Sequence, residues 1–146
     1  MEVKCGCFDT SKISNLSQIL KQLLPSIFCC ECFNNKNLPF SKELRNTETG
    51  HLFEHILLEY MCKIKKTEGF EDVEFKGKTV WDWNVEREGT FHIEVNAGLP
   101  DKVIFEKALY LSIALMEFIL NDFHEKQDYI CTNRNAETTL PLVIES

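Results

Sequence analysis

Apolar residues recur at helical spacing in three stretches of the chain, and they alternate with polar ones between the second and third. In "SKISNLSQILKQLLP" (11–25), Ile13, Leu16, Ile19, Leu20, Leu23 and Leu24 follow a 3.6-residue repeat. This predicts a one-faced surface helix, with Ser11 to cap it and Pro25 to stop it. A second helix is predicted over roughly 48–66. Asn46, Thr47 and Thr49 offer side-chain oxygens for its start, and Gly69 follows its last basic turn. A third, about 101–124, opens at Pro100 and Asp101 and contains "VIFEKALYLSIALMEFIL" (103–120). It is apolar almost all the way round, so more than one side must be covered, by the rest of the chain or by another copy in a homo-oligomer.

Three short runs read as strands: "EDVEF" (71–75), "TVWDWNV" (79–85) and "TFHIEVN" (90–96), joined by the tight links 76–78 and 87–89 as a meander of hairpins. In the third run Phe91, Ile93 and Val95 alternate with His92, Glu94 and Asn96, which gives one core face and one polar face. "DYIC" (128–131) or "LPLVI" (140–144) can add an edge strand, and Pro141 suits an edge. Residues 26–46 are cysteine- and turn-rich and read as an irregular loop, and 132–146 as a flexible tail or edge strand. The sum is an α+β fold, a small, mainly antiparallel sheet packed with three helices in a single domain, 1–146.

Composition narrows the function classes. The chain has 146 residues, 44% of them hydrophobic and 27% charged, enough for one real core. A net charge of −7 with scattered basic residues excludes a non-specific nucleic-acid binder, which needs a concentrated Lys/Arg surface. Glu106, Lys107 and Glu117 interrupt the most apolar segment, so it is a buried helix and no membrane partner is expected. Residues 1–24 lack both a basic start and an apolar signal stretch. The seven cysteines are therefore read as reduced thiols of a cytoplasmic protein. "CGC" (5–7) and "CCEC" (29–32) could in principle combine into a four-thiolate metal site, but only Cys29 and Cys32 have the Cys-x-x-Cys separation, and the lack of a second such pair argues against it.

The chemistry concentrates in "GHLFEHILLEY" (50–60). On a helical wheel His55 falls about 40° from His51, and Glu54 about 60° to its other side. Phe53, Ile56, Leu57, Tyr60, Met61 and Ile64 gather opposite. Imidazoles one turn apart can aim nitrogens at a common point about 2 Å from each, and Glu54 can take a proton from water there. Leu58 and Cys62 continue the histidine stripe, as the wall of a cleft would. Chance also places histidines four apart on solvated helices, so an ordinary amphipathic helix is the plain alternative. Third-ligand candidates are Glu94 on the polar strand face, Glu106 and Asp101 at the start of the long helix, and Cys32 from the loop. Glu106 is attractive on packing grounds. Glu59 lies a turn beyond His55 and suits orienting a ligand or substrate.

"FSKEL…TGHLFEHILLEY" (40–60), "GKTVWDW" (77–83), "FHIEV" (91–95) and "ALYLSIALMEFIL" (108–120) together resemble the N-terminal domain of cyanophycin synthetase over roughly 25–120. The resemblance implies a domain that holds an arginine–aspartate polymer and in some members cuts it at a metallopeptidase-like site. By that resemblance His51 and His55 are metal ligands and Glu54 the general base. Glu94 falls on the family's strand glutamate, level with Glu106 as third ligand. The H-x-x-E-H order also resembles that of pitrilysin-type peptidases and of S-ribosylhomocysteine lyase. No glycine-rich nucleotide loop occurs, so a free-standing copy without ATP-coupled synthesis is expected.

The function expected from these residues is zinc-dependent hydrolysis of a peptide or isopeptide bond in a peptide or polymer substrate. The alternatives are a non-catalytic binding module for a charged peptide or polymer, or an accessory subunit of a larger synthetase.

Overall fold

The computed structural model describes residues 1–4, 6–32 and 38–137, with side chains as far as residue 126. A 3₁₀ turn at Thr10–Lys12 precedes α1 (Leu16–Leu23), and a second at Pro25–Cys29 follows it. Next come α2 (Phe40–Glu43), α3 (Thr49–Thr67), β1 (Gly77–Val80), β2 (His92–Val95) and α4 (Lys102–Glu137). The architecture is α+β, as the patterning predicts.

Periodicity locates the helices well and their starts less well. The first apolar repeat splits: Asp9 accepts a hydrogen bond from the Ser11 backbone N–H at 2.7 Å and caps the 3₁₀ turn, so α1 proper begins only at Leu16. No side chain caps α3. The Thr47 hydroxyl, expected to start that helix, is turned toward His51 instead. Gly69 stands just past its end with φ +95°, a left-handed conformation that glycine adopts without steric cost.

Leu52, Phe53, Ile56, Leu57 and Met61 of α3 join Ile104, Ala108, Leu115, Met116 and Ile119 of α4 in the core, with Leu16, Leu20 and Leu24 closing it. α3 packs most extensively on α4 and next on β1, so the histidine helix runs through the middle of the molecule.

The sheet is smaller than the alternation predicts. β1 and β2 form one antiparallel pair with Thr79 opposite Ile93 and Gly77 opposite Val95. Residues 71–75 form no strand: 71 and 72 are bends, and 73–75 join no ladder. Cys62 Sγ donates to the Val73 carbonyl at 3.7 Å, and Lys65 Nζ lies 5.4 Å from the Phe75 ring centroid. Alternation there marks a chain with one side against α3 rather than a ladder. Beyond Val80 the backbone turns on Asp82, whose carbonyl accepts from Val85 and Glu86. That turn swings Trp83 into a cluster with Phe8, Trp81 and Phe91. Gly50 approaches the same cluster so closely that an added Cβ would fall 2.3 Å from Phe91 Cγ.

α4 corrects two expectations. It runs through 128–131, so that segment is helix and not an edge strand, and the helix continues to Glu137. The candidate strand 140–144 lies outside the described residues. The outer side of α4 is also left bare by the described residues: Val103, Tyr110, Ile113 and Phe118 are exposed, Tyr110 at 76%. Among the described residues no helix is long and apolar enough to cross a membrane.

Candidate metal centre

Helical spacing alone brings His51 and His55 to one side of α3, and their Nε2 atoms stand 3.2 Å apart. Cys32 Sγ, from the loop before α2, lies 3.4 Å from His51 Nε2. The three donor atoms fall within 4.8 Å of one another, and among the described residues no other set of this kind occurs. Tetrahedral zinc, with Zn–N about 2.0–2.1 Å and Zn–S about 2.3 Å, places its nitrogens about 3.3 Å apart and a sulfur about 3.6 Å from a nitrogen. The two separations made by His51, 3.4 Å to Cys32 and 3.2 Å to His55, are close to these values, and the group could hold a metal.

Neighbouring groups orient each donor. The Thr47 hydroxyl donates to Glu48 Oε2 at 3.3 Å and sits 2.8 Å from His51 Nδ1. When the hydroxyl proton is directed to Glu48, Thr47 Oγ1 accepts from Nδ1–H, and that tautomer leaves the His51 Nε2 lone pair on the cleft side. His55 is stacked on Phe40, ring centroids 3.8 Å apart and 18° from parallel. Burial, reinforced by His51, lowers its pKa to about 3, so the imidazole is neutral at physiological pH. A neutral His55 with its proton on Nε2 donates to His51 Nε2 at this distance, and a cation held by both rings would take that proton's place.

Glu54 lines the same cleft and is buried. Thr79 Oγ1 on β1 donates to its Oε2, and Gly77 passes so close that a Cβ there would sit 3.0 Å from Glu54 Oε1. Burial raises the carboxyl's pKa above its ordinary 4.5, against the opposing pull of the Thr79 hydrogen bond and His51. A carboxylate held in this way can accept a proton and return it. The cleft, about 1210 Å³, continues along α3 past Glu59, Cys62 and Lys66. There Cys30 Sγ donates to Glu59 Oε2 at 3.3 Å, and burial, then Glu59, pushes the Cys30 thiol up to about 12. Glu59 therefore holds a thiol.

The other third-ligand candidates lie elsewhere. Glu94 is exposed because the strand alternation that turns Ile93 inward turns it outward. Glu106 is exposed on the outer side of α4, with Lys102 Nζ 3.8 Å away. Neither lines the cleft. Asp101 receives Lys65 at 2.8 Å. Among the described residues the two cysteine clusters do not pool their thiols: Cys7 is buried against the Asp9 carbonyl, and Cys5 lies outside them. Cys7, Cys29, Cys30, Cys32 and Cys62 form no disulfide. Sequence reasoning missed Phe40, Glu43, Thr47 and Thr79. Only Thr47 left a trace, being four residues before His51 on the same stripe.

An α+β domain with a Cys/His donor group at the head of an H-x-x-E-H helix defines a candidate metal-binding domain. The chain belongs to the cyanophycin synthase-like N-terminal domain family, which it matches over residues 1–116. That span contains every cleft residue and stops within α4. No curated protein and no solved structure matches it.

Proposed function

We propose that the chain is a zinc-dependent hydrolase of a peptide or isopeptide bond, with the metal on Cys32, His51 and His55 and Glu54 as general base. The observation that carries this is the convergence of one thiol and two imidazole nitrogens within 4.8 Å beside a buried carboxyl of raised pKa. Bound zinc supplies Lewis-acid polarisation of a carbonyl and a lowered pKa for water. The residues do the rest. Glu54 takes a proton from the attacking water as its oxygen bonds to the carbonyl carbon. It then delivers that proton to the departing nitrogen as the C–N bond breaks. Thr79 holds one carboxylate oxygen and leaves the other to work, while Thr47 keeps the His51 lone pair aimed at the cleft.

The cleft rim favours one second reading. Lys66, Lys76 and Lys78 share it with Glu31, Glu48 and Glu74, a mixed-charge lining suited to holding an arginine–aspartate polymer without cutting it. Metal analysis of protein purified without a histidine tag, together with incubation on that polymer, separates the two. Stoichiometric zinc and chelator-sensitive fragment release support the hydrolase; saturable binding without cleavage supports the holding module.

A further inference from the structure

α2 is a single turn, yet it presents two side chains to the centre. Phe40 and Glu43 are three residues apart and so share a face of the turn. The Phe40 ring stacks on His55. Glu43 lines the same cleft as Cys32, His51 and His55 and is only 5% exposed. Its Oε1 is fully buried with no hydrogen-bond partner, and no ion pair among the described residues involves it. Burying a carboxylate oxygen without a partner is unfavourable, and such a group marks a place where a water or a cation belongs.

We propose that Glu43 is the charge-balancing carboxylate of the metal centre, acting on the cation through an intervening water. The inference rests on the metal reading of Cys32, His51 and His55. Glu43 is not among the donors that converge within 4.8 Å, so it is not placed as a direct ligand. A thiolate from Cys32 and a carboxylate from Glu43 together neutralise a divalent ion held by two neutral imidazoles. This leaves Glu54 free of the role of counter-ion and able to act as a base. It also leaves one coordination position open, as catalytic zinc sites require. Outer carboxylates of this kind tune affinity by about 10–100-fold.

Glu43→Gln keeps the shape of the side chain and removes its charge. Zinc affinity, measured by competition with a chromophoric chelator, is expected to fall about 10–100-fold. The unfolding midpoint of the metal-free protein is expected to rise, because an unpartnered buried charge is gone. Glu43→Asp, which keeps the charge, should recover part of the affinity and serves if the first variant folds poorly. Unchanged zinc affinity in Glu43→Gln overturns the proposal. So does a lowered metal-free midpoint, which would make Glu43 an ordinary structural partner. If the wild-type protein binds no zinc, the metal reading fails and this one with it; if wild type and Glu43→Gln bind equally well, only this inference fails.

Discussion

Cys32 Sγ stands 3.4 Å from His51 Nε2, a contact made across 19 residues of sequence between an irregular loop and a regular helix. The helix supplies two donors by its own repeat; the third arrives only because 3₁₀ and α2 turns fold the cysteine segment back over it. This asymmetry sets what each substitution should do.

Cys32→Ser keeps the size of the side chain but replaces a thiolate with a poor ligand. Zinc affinity should fall at least 10-fold. Cobalt-loaded wild type should show a thiolate-to-metal charge-transfer absorbance that the variant lacks. An unchanged cobalt spectrum would remove Cys32 from the ligand set.

Glu54→Gln should abolish hydrolysis while zinc stays bound. Its effect on the fold follows from the raised pKa. A carboxyl whose folded pKa exceeds its unfolded value adds stability below about 4.5 and loses it as the pH rises through the folded value. Ionised Glu54 therefore costs stability at neutral pH. Metal-free Glu54→Gln should unfold at a higher urea concentration than wild type at pH 7, with the gain vanishing below about pH 4.5. Full activity in this variant would remove Glu54 as the base.

His55 predicts the opposite pH dependence. Its folded pKa of about 3 lies below the ordinary 6.5, so the unfolded chain binds the proton first as the pH falls. Stability tied to this group is complete above about 6.5 and drains away toward 3, by at most about 1.4 kcal/mol per pH unit. Urea melts of the metal-free protein, compared with His55→Gln, isolate this share from that of the carboxylates. Parallel curves for the two proteins would show that His55 is not held neutral.

Gly50→Ala tests the packing that seats the helix. The added methyl would fall 2.3 Å from the Phe91 ring, which is itself in contact with both Trp81 and Trp83. Overpacking of this sort should cost about 1–3 kcal/mol in chemical denaturation. A loss near zero would mean that the aromatic cluster yields easily.

Residues 51–61 show how far local pattern reaches. The face that buries Leu52, Phe53, Ile56, Leu57 and Met61, and the convergence of His51 with His55, both follow from 3.6 residues per turn, so both are legible in the sequence. So are the α+β class and the inward turn of Phe91 and Ile93. Residues 71–75 show where local pattern stops. Alternation reports one buried side, but not whether a strand or a helix covers it, and here α3 does. The helical period of α4 likewise cannot say which of its apolar sides finds a neighbour.

The sequence by itself determined the histidine pair, the carboxyl beside it and the helix that carries all three, because these depend on neighbours within four residues. Tertiary structure alone decided that Cys32 rather than Glu94 or Glu106 approaches the pair, that Thr79 holds Glu54, and that Glu43 is buried beside them. Those relations join segments far apart in the chain. They depend on how loops close and side chains pack, which no periodic pattern encodes.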